Sequence, residues 1–275
     1  MKSKKPFESV CLGDASEQAY EGVEVQVMVT CYNYGKYISD CLDGIFMQKC
    51  NFPFKVVVFD DASKDDSWKV IQTYQKKYCD RMIAFRAVEN TYQNGETNGG
   101  LIEVGLLPRT KYIAFCEGDD YWTDENKLQI QFDYMEENMD CSMCFHAADK
   151  VEENGNLIQS IAPYRQDRVV NTSEVILGGG GFMATNSIFG RTHLLIQENL
   201  PNYYHNSPVG DYPLQIHLST QEYCYYINQN MSAYRTGVKG SWTSRMNYSK
   251  NAFQKKLEHN LKINNLFHSI NKETN

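Results

Sequence analysis

The sequence contains no long apolar run: no stretch approaches the roughly 18 apolar residues that a membrane-spanning helix needs. No apolar segment follows the basic residues at the N-terminus, so no secretory signal is expected. Basic residues are few, with 27 Lys and Arg against 34 Asp and Glu, which disfavours a nucleic-acid partner. The 9 cysteines form no dense framework, which favours free thiols in a reducing compartment. These absences predict a cytoplasmic protein.

The first half of the chain contains an alternation of strand and helix patterns. Apolar residues alternate at period two or form near-continuous runs where strands are expected, and they recur at helical spacing in between. The predicted elements are a strand at 23–29, a helix at 36–48, a strand at 54–59, a helix at 67–78, and strands at 82–87 and 112–116. This order predicts an α/β fold with a doubly wound, mostly parallel, Rossmann-like sheet.

The second half is richer in loops. Its predicted elements are a helix at 125–137, strands at 142–147 and 185–189, a helix at 212–219 and a basic amphipathic helix at 251–270. The glycines at 178–181 lack the Lys-Ser/Thr pair of a P-loop, so a flexible loop is expected there. The expected organisation is an extension at 1–22, a domain at 23–250 with halves 23–124 and 125–250, and a terminal helix at 251–275.

The basic terminal helix has two interpretations. Its lysines and apolar residues could contact anionic lipid, which would place the protein peripherally at the inner face of the membrane through residues 251–270. Alternatively, one side of the helix packs on the domain and the other is simply solvated.

Polar clusters follow three of the predicted strands, namely Thr30 to Asn33, Asp60 with Asp61, and Asp119 with Asp120. In an open α/β sheet, ligands bind beyond the carboxyl ends of the strands, where helix N-termini face anions. Each cluster alone could simply cap the next helix. Adjacent carboxylates repel one another unless a cation or a hydrogen-bond donor shares them, so the three clusters together indicate a divalent cation with oxygen ligands.

The segment from Glu117 to Trp122 (EGDDYW) has the chemistry that a nucleotide diphosphate site needs. A carboxylate can hold Mg²⁺ or Mn²⁺ against diphosphate oxygens, and the cation then stabilises the departing phosphate. Gly118 allows close approach of the backbone, and Tyr121 and Trp122 can line a sugar or acceptor subsite with Glu117. The alternative is a purely structural acidic turn beside a buried Trp.

Cys141 and Cys144 form a C-x-x-C pair with His146 nearby, a spacing that occurs in zinc and redox sites. The run around them alternates like a strand, and no second ligand pair with metal-binding spacing exists. Core thiols are therefore the preferred interpretation.

Five segments between residues 23 and 242 occur in an order that resembles the inverting family 2 glycosyltransferases of the GT-A fold. They are VQVMVTCYNYGKYISDCLDGIFMQ, FKVVVFDDASKDDSWKVI, KYIAFCEGDDYWTDENKLQIQFDYM, PVGDYPLQIHLS and MSAYR. The resemblance implies a metal-dependent enzyme that moves a sugar from a nucleotide diphosphate donor, expected to be UDP-linked, to an acceptor hydroxyl. A saccharide or lipid-linked acceptor is expected, as in the synthesis of surface polysaccharides or glycoconjugates.

The resemblance also implies roles for individual residues. The nucleotide is expected to contact Thr30, Tyr32, Asn33, Asp61, Asn98, Asp119 and Arg235, with Asp61 on the base and Arg235 on the diphosphate. Asp120, together with Asp119, is expected to bind Mn²⁺ or Mg²⁺. Asp211 matches the catalytic base, which takes the proton of the acceptor hydroxyl opposite the leaving diphosphate. From the sequence alone, Asp211 could equally be a helix cap.

The chain departs from the family pattern at two places. Many relatives carry a His two residues after the Tyr-Arg pair, where it completes the metal site, but this chain has Gly237. Relatives also carry an Asn or Arg shortly before the strand of the Asp motif, and Asn98 is the candidate here. The first departure keeps a non-catalytic nucleotide- or carbohydrate-binding module as an alternative. A sugar-nucleotide pyrophosphorylase is disfavoured, because residues 30–35 are not its Gly-rich basic loop.

Overall fold

A computed structural model describes residues 9–91, 110–196, 200–205, 207–239, 241–248 and 250–274. The strands are β1 (Ser9–Leu12), β2 (Val25–Cys31), β3 (Phe54–Asp60), β4 (Met82–Ala87), β5 (Tyr112–Glu117), β6 (Tyr121–Trp122), β7 (Cys141–Val151), β8 (Leu157–Ile161), β9 (Arg168–Val170), β10 (Phe189–Arg191) and β11 (Tyr223–Arg235). The α-helices are α1 (Ile38–Phe46), α2 (Ser67–Lys77), α3 (Lys127–Glu137), α4 (Thr172–Gly178), α5 (Asn202–His205), α6 (Asp211–Gln221), α7 (Trp242–Tyr248) and α8 (Ala252–Thr274).

One sheet runs through the molecule in the strand order β1-β4-β3-β2-β5-β10-β7-β11-β6. β2 pairs in parallel with β3 and β5, β3 pairs in parallel with β4, and β7 pairs in parallel with β11. The inserted strand β10 is antiparallel to both β5 and β7. The predicted α/β class with a mostly parallel sheet is therefore confirmed. Since β2, β3 and β5 run in the same direction, the loops that follow them meet at one edge.

Both faces of the sheet are covered, which explains the near-continuous apolar runs of β2 and β3. One core layer joins the sheet to α1, α2 and α3, and includes Val27, Val56, Ile38, Ile71 and Leu128. The other joins the opposite face to α6 and α8, and includes Met28, Val57, Leu214, Leu266 and Ile270. The second half of the terminal helix is thus packed on the domain.

Several elements differ from the sequence prediction. β1 lies within the predicted extension and adds an antiparallel edge strand to β4. β11 carries 13 residues without a clean alternation, because register shifts interrupt its pairing with β7. The predicted strand at 185–189 is a 3₁₀ turn at Thr185–Ser187 followed by β10, since Asn186 points inward to hydrogen-bond Asp120 and Ser232.

The C-x-x-C pair lies in the core. Cys141 and Cys144 are buried on β7 as free thiols, and Gln131 Nε2 lies 3.7 Å from Cys144 Sγ. Among the residues that the structure describes, no group of three or more His, Cys, Asp or Glu side chains could hold a metal ion.

Within the same ranges, no helix is both long and apolar enough to cross a membrane.

Candidate active site

A cavity of about 810 Å³ opens where the loops after β2, β3 and β5 meet the second half of the chain. The predicted site residues that line it are Thr30, Tyr32, Asp61, Glu117, Asp119, Asp211 and Arg235. They come from positions more than 200 residues apart in the sequence, and the fold brings them to one place. Asn98 lies outside the described residues.

The loop after β2 is tied to the loop after β3 through Asn33. The Asn33 amide donates to Ser63 Oγ at 2.9 Å, and Asn33 Oδ1 accepts from the Lys64 amide at 2.7 Å. Asn33 has a φ of 59°, a left-handed conformation that Asn tolerates better than most residues. Its side chain therefore supports the loop that carries Thr30 and Tyr32 into the cavity.

The two aspartates that end β3 have different surroundings. Asp60 is fully buried and forms an ion pair with Arg86, whose Nε lies 3.3 Å from Asp60 Oδ2. Asp61 lines the cavity, and its Oδ1 accepts hydrogen bonds from the amide and the hydroxyl of Thr91 at 2.7 and 2.9 Å. Thr91 thus orients the carboxylate of Asp61, which the resemblance expects to contact the nucleobase. Sequence analysis missed Thr91, because it lies 30 positions away with no motif around it.

The two aspartates of the EGDD turn also have different surroundings. Asp120 is fully buried; its Oδ2 accepts from Asn186 Nδ2 at 3.0 Å and its Oδ1 from the Arg235 amide at 2.8 Å. Asp119 and Glu117, in contrast, line the cavity. The Gly118 amide donates to the Thr30 carbonyl oxygen at 2.7 Å, and a Cβ at Gly118 would lie 3.0 Å from that oxygen. Glycine therefore allows the turn to pack directly against the end of β2.

Four carboxylates line this cavity, and burial raises the pKa of three of them, Glu117, Asp119 and Asp211. Burial, followed by the charges of Asp119 and Asp211, raises the pKa of Glu117 to about 8. Burial raises the pKa of Asp119 to about 6, although Tyr34 and Arg235 act in the opposite direction. Burial also raises the pKa of Asp211. The carboxylates of Asp119 and Glu117 are hard oxygen donors of the kind that a divalent cation prefers.

Arg235 lines the cavity and hydrogen-bonds the backbone of the EGDD turn. Its Nη1 donates to the Asp119 carbonyl oxygen and its Nη2 to Asp40 Oδ2, both at 2.8 Å. The guanidinium lies between the rings of Tyr37 and Tyr121, 4.8 Å from each centroid. The guanidinium thus contacts four groups of the protein. Through its hydrogen bond to the Asp119 carbonyl oxygen, Arg235 supports Asp119 at the cavity wall.

Neither aromatic residue after the turn, Tyr121 or Trp122, lines the cavity as the sequence predicted. Trp122 is 2% exposed, its Nε1 donates to the Asn186 carbonyl oxygen at 3.0 Å, and Lys127 Nζ lies 4.0 Å from its ring centroid. Tyr121 is half-buried and stacks on Arg235. The structure therefore places Trp122 in the core, and Tyr121 contacts the guanidinium of Arg235, which holds the Asp119 carbonyl oxygen.

Asp211 is the first residue of α6 and lines the same cavity, where its charge acts on the pKa of Glu117. Its Oδ1 accepts from the Tyr212 amide at 2.8 Å, so it partly caps its own helix. His259 of α8 lines the same cavity, and its charge acts on the pKa of Asp211. Asn260, Ile263 and Phe267 extend this wall. Sequence analysis assigned α8 no part in the site, because a periodic helix carries no signal of what it packs against.

Gly237, where many relatives have His, is exposed and has a φ of 83°. It borders a separate shallow pocket with Tyr37 and Glu153. A metal-ligating set in the main cavity, as far as the described residues go, would rest on Asp119 with Glu117 nearby. Their hard oxygen donors fit Mg²⁺ or Mn²⁺, with the remaining ligands coming from diphosphate and water.

Comparison with solved structures agrees with this fold. Staphylococcus aureus TarS 1-349 in complex with UDP-GlcNAc superposes with a TM-score of 0.60 at 15% identity, covering 88% of this chain and 66% of that one. The mannosyltransferase PcManGT from Pyrobaculum calidifontis in complex with GDP-Man and Mn²⁺ gives a TM-score of 0.54 at 16% identity, covering 93% and 68%. The likeness shows a shared GT-A fold.

Sequence comparison identifies the family. An uncharacterized protein of Mycobacterium tuberculosis, Rv1520, is 28% identical over 220 residues, which is 80% of this chain and 61% of that protein. The chain thus spans about three-fifths of the length of the first curated relatives that it matches. The profile of glycosyl transferase family 2 matches residues 26–192, more than half of the chain. The chain therefore belongs to glycosyl transferase family 2.

Proposed function

We propose that the protein transfers a sugar from a UDP-linked donor to a hydroxyl of a saccharide or lipid-linked acceptor, with inversion at the anomeric carbon. The observation that carries the proposal is that one cavity joins the nucleotide loops, the acidic turn and Asp211. A direct displacement requires a base in the same cavity as the donor, on the far side of the anomeric carbon from the leaving diphosphate, and Asp211 is the residue proposed for that place.

The nucleotide side is formed by Thr30, Tyr32 and Asp61. The Tyr32 ring can stack on the base or ribose, and Asp61 is held by Thr91 at 2.7 and 2.9 Å in a position to accept from a base N–H. A uracil N3–H is such a donor. The UDP-GlcNAc bound by TarS supports the choice of a UDP-linked donor.

The metal side is formed by Asp119, with Glu117 beside it. We assign the ligand role to Asp119 and not to Asp120, because both oxygens of Asp120 accept hydrogen bonds within the protein. A bound Mn²⁺ or Mg²⁺ would neutralise charge on the departing diphosphate. The Mn²⁺ present with PcManGT supports this cofactor. Arg235 keeps the Asp119 backbone in place.

Asp211 is the proposed general base. The acceptor oxygen forms a bond to the anomeric carbon, the bond from that carbon to the diphosphate oxygen breaks, and the hydroxyl proton passes to the Asp211 carboxylate. A pKa raised by burial makes that carboxylate a better proton acceptor than an exposed Asp. His259 lies in the same wall, where its charge acts on Asp211.

The acceptor side is largely apolar. Ile176, Val209, Ile263 and Phe267 line the cavity on the side of Asp211. Such a wall suits an acceptor whose sugar is attached to an apolar group, and this supports a lipid-linked acceptor in the synthesis of a surface polysaccharide or glycoconjugate. The cytoplasmic location stays a prediction.

The test is a panel of nucleotide sugars with Mn²⁺ or Mg²⁺, in which nucleotide release is measured with and without candidate acceptors. Release of UDP from one donor, lost in chelator, supports the proposal. Release of pyrophosphate with sugar phosphate would instead indicate a pyrophosphorylase. Failure to bind or turn over any donor would remove the enzymatic interpretation.

The competing hypothesis is a binding module that retains the fold, prompted by Gly237 at the position of the family His. Calorimetric titration with UDP separates the two. A binding module binds UDP but consumes no donor with any acceptor. The enzyme binds UDP and consumes a donor, and replacement of Asp211 removes turnover but not UDP binding.

A further inference from the structure

The first half of α8 presents an uncovered apolar stripe. Phe253, Leu257 and Leu261 are 82%, 46% and 56% exposed, and their spacing of four residues places them along one side of the helix. Large apolar side chains in a row at this exposure are uncommon on a surface that only meets water.

The rest of α8 shows that the helix is anchored and not merely loose. Leu266 and Ile270 are 5% and 4% exposed and belong to the core. His259 packs edge-on against Trp242 of α7, with ring centroids 5.1 Å apart. The stripe therefore faces outward from a helix whose opposite side is fixed to the domain.

The segment around the stripe carries a positive charge, although the chain as a whole is acidic. Residues 239–262 contain six basic residues and one acidic residue, a formal net charge of +5. Since the whole chain has a net charge of −7, the remainder carries −12. Residues 67–88 also carry a net charge of +4, but residues 239–262 combine their positive charge with the exposed apolar stripe.

The same segment borders the mouth of the candidate active site. Trp242 lines the cavity while being 39% exposed, as does Leu177 of α4 at 87%. His259 and Asn260 line it from α8 itself. We call Phe253, Leu257, Leu261 and Trp242, with the surrounding basic residues, the rim face.

We propose that the rim face docks on the surface of an anionic lipid bilayer, with the apolar stripe at the level of the headgroups and the lysines against the lipid charge. An amphipathic helix that combines exposed Phe and Leu with lysines binds such surfaces. Symmetric pairing with a second copy would place two segments of +5 against each other, which charge disfavours. Because Trp242, His259 and Asn260 of this segment line the cavity, docking would bring a lipid-linked acceptor close to it, a consequence that rests on the proposed function.

The docking itself is tested without any enzymatic reaction. The full chain is sedimented with vesicles of phosphatidylcholine alone and of phosphatidylcholine mixed with phosphatidylglycerol. We expect a bound fraction roughly tenfold higher with the anionic lipid, falling as salt screens the charges. Equal sedimentation with both vesicle types, or none with either, overturns the proposal.

Two variants and a control identify the face. Phe253→Gln with Leu257→Gln and Leu261→Gln removes the stripe, and Lys255→Gln with Lys256→Gln and Lys262→Gln removes charge; Gln favours helices, so folding is preserved. Each triple variant should lose most vesicle binding and retain UDP affinity. Leu157→Gln with Ile158→Gln, on residues of β8 that are 64% and 47% exposed, should bind vesicles as wild type does.

Three outcomes contradict the proposal. The stripe variant could bind vesicles as wild type does, or the β8 control could lose binding equally. Ultracentrifugation could also show a wild-type dimer that the stripe variant abolishes, which would assign the rim face to a second copy. Vesicle binding is measured without UDP, so a protein that fails to bind UDP would contradict the proposed function and leave the docking result unaffected.

Discussion

Asn186 donates from Nδ2 to Oδ2 of Asp120 across 3.0 Å, and both side chains are fully buried. The pair joins the EGDD turn to the 3₁₀ turn before β10. Asn186 Oδ1 accepts from Ser232 Oγ at 2.7 Å, so the same amide also fixes β11. Asp120 thus anchors three parts of the chain behind the cavity, and Asp119 is presented to it.

Replacing the two aspartates should give opposite results. Asp120→Asn introduces an amide where two donors converge, and should lower the free energy of unfolding by about 1–3 kcal/mol. Asp119→Asn should leave stability nearly unchanged and weaken Mn²⁺-dependent UDP binding by roughly 10–100-fold, the range for altered metal sites. Urea unfolding and calorimetry measure the two effects. If Asp120→Asn alone abolishes the metal dependence in a stable protein, Asp120 is the ligand as the family resemblance implied.

Asp211→Asn should leave UDP affinity and melting temperature near their wild-type values while turnover falls by about 10²–10⁴-fold. The amide keeps an oxygen that can accept from the Tyr212 amide, so the start of α6 is preserved. If Asp211 were only a cap, Asn would serve equally and the rate would not change. Turnover within a few-fold of wild type would point to Glu117 as the next base to test.

The neighbouring aspartates after β3 provide a matched pair for nucleotide binding. Asp61→Ala should weaken UDP binding by roughly 10–100-fold, since a hydrogen bond to a charged group is lost. Thr91→Val removes one of the two donors that orient Asp61 and should have a smaller effect of the same kind. Asp60→Asn, which disturbs the pair with Arg86, should lower stability and leave UDP affinity unchanged. Calorimetry of UDP on all three variants decides, and equal losses of affinity would contradict the assignment.

Lys127 should make stability depend on pH. It is fully buried, donates to Gln131 Oε1 at 2.7 Å, and burial lowers its pKa from 10.5 to about 7. Because the folded protein binds this proton less tightly than the unfolded chain, the contribution of Lys127 to stability rises between about pH 7 and pH 10.5 and is lost as pH falls through 7. The slope is at most about 1.4 kcal/mol per pH unit.

Urea unfolding at several pH values between 6 and 9 measures this slope. Lys127→Met should remove this dependence on pH. The free energy of unfolding of wild type should therefore increase relative to that of the variant as pH rises. Lys69→Met, on an exposed lysine of α2, is the control and should follow wild type throughout. Parallel curves for wild type and Lys127→Met would show that the lysine titrates normally in the folded protein.

Local patterns predicted the first half of the fold well, for physical reasons. The strands β2, β3 and β5 are short apolar runs followed by polar residues, and burial on both faces imposes that composition directly. The same logic located Asp61 and Asp119, because residues that follow parallel strands meet at one edge. β1 and β11 were missed, since an edge strand and a strand with register shifts lack a regular period.

The sequence by itself determined the family, the α/β class and the chemistry available at the strand ends, because these depend on local spacing and residue type. Tertiary structure alone decided which acid faces the cavity. Asp119 and Asp120 are neighbours in the chain, but Asn186 and the Arg235 amide, 66 and 115 positions away, take up the oxygens of Asp120. Whether α8 forms part of the site was likewise decided only by packing, since Leu266 and Ile270 enter the core while Phe253 and Leu257 of the same helix do not. Contacts between residues so distant in sequence arise from chain topology, which no local pattern encodes.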